Sequence, residues 1–95
     1  MIERSREQDI ELLNSELDSL QGCIVQWISI LEMLITEMQI TKEYYDKLRS
    51  YDIEFPETEE RILNADRACI DKTQGIIKMY QDKEDRITER LALMV

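Results

Sequence analysis

Steps of three and four residues from Ile10 pick out Ile10, Leu13, Leu17, Leu20, Ile24, Trp27, Leu31, Leu34, Met38, Thr41, Tyr45 and Leu48. Only Thr41 in that series is neither apolar nor aromatic. A 3.5-residue period held for more than five heptads predicts one long helix packed along a coiled-coil-like seam. Spanning about residues 4–50, that helix would be about 70 Å long at roughly 1.5 Å per residue.

The same reading predicts where the helix stops. Lys47 and Arg49 place cations in the last turn, where the negative end of the helix dipole favours them. Pro56 disfavours helical backbone at Phe55 yet suits the first position of a new helix. A turn is therefore expected at about 51–55 and a second helix at about 56–93. Its own three–four series runs Leu63, Asp66, Ile70, Thr73, Ile77, Tyr80, Glu84, Ile87, Leu91, Met94. A short turn between long helices makes them antiparallel neighbours. Pairing residues whose numbers sum to about 108 then sets Tyr45 by Leu63, Leu31 by Ile77 and Leu20 by Ile87. Thr41 falls beside Asp66 in this register, polar beside polar, while Glu84 falls opposite Ile24 and is expected to lean outward. The heptad phase passes through Gly75 unchanged, which favours one second helix over two shorter ones. The fold class is all-α: a long antiparallel two-helix hairpin forming one domain over 1–95.

One stretch is too apolar for a single seam. Residues 23–35, CIVQWISILEMLI, carry one charge, Glu32. Beside the seam, Cys23 and Ile30 flank one side, Ile28 and Ile35 the other, and Val25 and Met33 widen the band. Such width marks bundle helices and exceeds a two-stranded seam. Full burial of Ile28, Ile30 and Ile35 would supply about 5–9 kcal/mol per chain, against an association cost on the order of 4–15 kcal/mol. The expected partner interface is Ile24, Trp27, Ile28, Ile30, Leu31, Leu34 and Ile35. Its occupant is a second copy, giving a dimeric four-helix or larger bundle, or a heteromeric coiled-coil partner. Ile62, Cys69 and Ile76 form a similar side stripe on the second helix.

Composition narrows this further. The formal charge is −9, from 21 acidic and 12 basic side chains, and no basic stripe for direct nucleic-acid binding is expected. The charged N-terminal stretch lacks the apolar core of a secretory leader, and the run 23–35 falls short of the roughly 20 residues that a membrane span takes. Two cysteines form no disulfide framework and are expected as small buried apolar groups. The chain reads as soluble and intracellular, without membrane contact.

The chemistry that remains is sparse. No histidine is present, which removes imidazole acid–base catalysis, His-activated nucleophiles and His-ligated metals. Neither a P-loop nor a GxGxxG occurs. The spacing Glu57-x-x-Glu60 matches half of an all-carboxylate Mg²⁺ site but lies at a helix start instead of in a core. No catalytic residue, cofactor or metal is expected, and the chain is not read as an enzyme. Asp52, Glu54, Glu57, Glu59 and Glu60 crowd the turn and form a candidate acidic docking patch. Tyr44, Tyr45, Tyr51 and Phe55 are expected to plug the open end beside it. Two functions follow: a helical-hairpin scaffold or adaptor acting through 23–35, or a small acidic inhibitor occupying a basic or nucleic-acid-binding site on a target.

Overall fold

The computed structural model describes residues 5–94, and position 4, the expected start of the first helix, lies outside them. The chain forms two helices, α1 (Arg6–Ser50) and α2 (Pro56–Met94), which pack on each other as a hairpin. The molecule measures 74 × 21 × 16 Å, a rod two helices wide.

Local chemistry sets each helix end. Ser5 opens α1 with a capping box: its hydroxyl accepts from the Gln8 amide at 3.2 Å, and the Gln8 side-chain oxygen accepts from the Ser5 amide at 3.1 Å. Two of the amides that a helix start leaves orphaned are thereby satisfied. The far end of α1 closes without glycine. Asp52 adopts a left-handed backbone, φ 59°, its amide donates to the Arg49 carbonyl, and the Ile53 amide reaches back to the Leu48 carbonyl. This is the Schellman arrangement, in which glycine is usual and a short polar side chain is tolerated. Pro56 then begins α2 with acidic Glu57 and Glu59 in the first turn.

Every residue of both three–four series is buried or half-buried, so the seam follows the sequence period along both helices. Leu13 and Leu20 of α1 share one cluster with Ile87 of α2, and Leu17, Tyr80, Leu91 and Met94 pack against it. Glu84, expected to lean outward, is instead half-buried at its seam position. Asp66 also lies half-buried, and its Oδ2 is shut away from water without a hydrogen-bond partner. Thr41 does not serve it, because the Thr41 hydroxyl donates to the Glu37 carbonyl of its own helix at 3.0 Å.

Gly75 sits within an unbroken α2, and Gly22 within α1. A Cβ built on either glycine meets no other atom within 4 Å. Glycine in a helix costs about 0.5–1 kcal/mol relative to alanine through lost chain freedom. Gly22→Ala and Gly75→Ala are each expected to stabilise the hairpin by about that amount. Urea unfolding followed by circular dichroism measures it, with an unchanged slope and a raised midpoint.

Candidate interaction surface

The expected interface residues divide by depth. Ile24 is only 8% exposed and belongs to the hairpin's own seam, so it is not available to a partner. Trp27, Leu31 and Leu34 are half-buried in that seam. Ile28, Ile30 and Ile35 keep 37%, 36% and 49% of their surface in water. No residue of α1 between Val25 and Tyr44 is buried, although the seam runs through the middle of that stretch. The cause is thickness: α2 covers one stripe of α1, and no third helix covers the rest. What Ile28, Ile30 and Ile35 have left to bury supplies about 0.5–1.5 kcal/mol each, less than full burial would give.

The exposed apolar groups are unevenly placed. In the middle of α1 the residues just after Trp27 and Leu34 are Ile28 and Ile35, whereas those just after Asp66, Thr73, Tyr80 and Ile87 of α2 are Arg67, Gln74, Gln81 and Thr88. The residues just before Ile24 and Leu31 are Cys23 and Ile30 on α1, and those just before Leu63, Ile70 and Ile77 are Ile62, Cys69 and Ile76 on α2. The same flank continues as Lys83 and Arg90 towards the end of α2. A surface cleft lined by Leu12, Glu16 and Arg90 shows that these preceding flanks adjoin. One broad side of the rod is thus apolar on both helices, while the other is apolar on α1 alone. Exposed Leu12, Met33 and Ile40 of α1 and Met79 and Leu93 of α2 lie one further step round on the apolar side.

The turn does less than its charge suggests. Glu59 is half-buried and accepts from the Arg49 guanidinium at 2.5 Å, while Asp46 holds the same guanidinium from within α1. These bonds, to Glu59 first and then to Asp46, raise the Arg49 pKa above its ordinary value. Glu59 therefore braces the turn and is not presented to a partner. Asp52, Glu54, Glu57 and Glu60 remain exposed. Among the described residues no three carboxylates or thiols converge as a metal site. The expected aromatic plug is a single ring. Tyr45 is buried with Tyr44 edge-on to it at 5.3 Å, whereas Tyr44, Tyr51 and Phe55 each leave more than half their surface exposed. A seam one residue wide has room for only one of them. Cys23 is half-buried, but Cys69 is exposed and both thiols are free, because their places on the outer flanks keep them off the seam.

Length and composition also allow α1 to cross a membrane, which the run 23–35 taken alone did not suggest. An eighteen-residue window of the helix has a mean hydropathy of 1.3, and 6% of it is buried. No protein-family model matches the chain, and no curated protein or solved structure is similar to it.

Proposed function

We propose that the chain is a helical interaction and oligomerisation module, an antiparallel hairpin that joins another helical surface to complete a four-helix or larger bundle. The observation that supports this most is the open stretch of α1 from Val25 to Tyr44, apolar on several flanks and without one buried residue. Large apolar patches at a protein surface mark sites of association. A pair of helices has two faces to offer, and bundles are completed by stacking such pairs.

Sedimentation at tens of micromolar tests the proposal. A particle of at least twice the 11.4 kDa chain mass is expected, and it should persist at 0.5 M salt because apolar packing is insensitive to screening. A complex that dissolves at moderate salt would favour the acidic inhibitor, whose attachment depends on charge. A second reading has the hydropathy window of α1 in its favour, namely that this helix lies in a bilayer. Glu32 and Gln26 within the apolar run, and a charged α2 packed along α1, weigh against it. Flotation with neutral vesicles separates the two: the module stays at the bottom of the gradient.

A further inference from the structure

Charge, more than apolar area, indicates what covers the two-sided apolar face. On α2, exposed Lys72, Lys83, Arg86 and Arg90 lie on that side, with Asp82 at its margin in a cleft that Met79, Lys83 and Arg86 also line. None of the four cations has an ion-pair partner among the described residues. A row mostly of cations runs against a chain whose net charge is −9. On α1 the same side carries exposed Glu16 and Glu37, with Lys47 its one base beside the turn. The face is therefore split lengthwise, mostly acidic over one helix and basic over the other, around an apolar middle that includes Ile30 and Ile76.

We infer that this face takes a second copy of the chain, with α1 of each hairpin lying on α2 of the other. The inference rests on the module reading and names its partner. Two stackings of identical hairpins are symmetric. A two-fold axis across the rods sets α1 on α1 and α2 on α2, which brings the cation row against itself. A two-fold axis along the rods sets α1 on the partner's α2, so that unlike charges meet along both edges. In the second arrangement residues at the same height along the rod face one another. Glu16 then lies opposite the partner's Arg90, Ile30 opposite the partner's Ile76, and Glu37 opposite the partner's Lys72. An anionic membrane would satisfy the cations but would repel Glu16 and Glu37.

Paired charge reversal tests it. One full-length variant carries Glu16→Lys and Glu37→Lys, and another carries Lys72→Glu and Arg90→Glu. Each alone is expected to associate at least tenfold more weakly than the parent chain at low salt. An equimolar mixture is expected to recover association to within about threefold, because every reversed edge then meets its complement. Circular dichroism of each variant checks that both remain helical. Rescue on mixing can come only from contacts between chains, since charges within one hairpin are unchanged by mixing. If the parent associates but the mixture shows no rescue, the two-copy face is overturned while the module reading stands. A parent chain that stays monomeric at every concentration overturns the second copy outright. Capture of the parent by anionic vesicles, abolished in the Lys72→Glu/Arg90→Glu variant, would assign the cations to a lipid surface instead.

Discussion

Leu20→Ala is expected to destabilise the hairpin by about 2–5 kcal/mol, a large share of what a domain of this size possesses. Leu20 is 8% exposed and packs in one cluster with Leu13 and with Ile87, itself 6% exposed. Truncation removes three carbons from that cluster, and the neighbours cannot close the gap without moving one helix relative to the other. Ile87→Ala attacks the cluster from α2 and is expected to cost a similar amount. Because the two side chains share a cluster, the double variant should cost less than the two single costs combined. Thermal unfolding by circular dichroism reads all three. A loss under 1 kcal/mol at Leu20 would mean that this end of the rod is not held by the packing described.

Asp66→Leu carries the opposite sign. An isolated buried carboxylate oxygen costs about 1–3 kcal/mol when nothing replaces its bonds to water. Asp66 occupies a seam position, its Oδ2 lacks any such bond, and the nearest candidate suggested by the register, Thr41, spends its hydroxyl on Glu37. Leucine at this position is expected to raise stability by about 1–3 kcal/mol, or some 4–8 °C in Tm for each kcal/mol. Asp66→Asn keeps the polarity and should recover little of the gain. The polar position does have one use: it penalises registers that slide Asp66 under an apolar neighbour, as single polar residues do in coiled coils. Increased stability joined to a broadened or mixed population by sedimentation would be the sign of that role.

The sequence made the seam legible because its signal is repeated; a dozen positions of α1 and ten of α2 report the same phase, and one exception such as Thr41 cannot hide it. Pro56, Lys47 and Arg49 marked the turn for the same kind of reason, each having a physical preference for where it sits. The start of α1 was missed by the heptad count, which began the helix at about residue 4, although Ser5-x-x-Gln8 has the spacing of a capping box. Asp52 was not readable. Glycine is the usual marker of a left-handed closure, and here aspartate accepts that conformation. The period already set Ile24 in the seam and Ile28 beside it, and the structure keeps that order, so Ile24 is spent on α2 and did not belong in the partner interface with Ile28. The two-sided face needed more again. Its α1 and α2 halves are far apart in sequence, Glu16 and Arg90 by 74 positions (90 − 16), and they become one surface only when Leu12 and Glu16 are seen to share a cleft with Arg90.

A body 74 Å long and little more than 16 Å thick has no centre through which its parts communicate. Each seam side chain packs against its own helix's neighbouring turns and the helix opposite, so a disturbance fades within a few turns. The cluster at Leu20 and the lone carboxylate at Asp66 lie far apart on that line, and their energies combine by simple addition. Stability in such a molecule is distributed like tension along a zip, tooth by tooth, and a variant library can be tuned at one end without retuning the other.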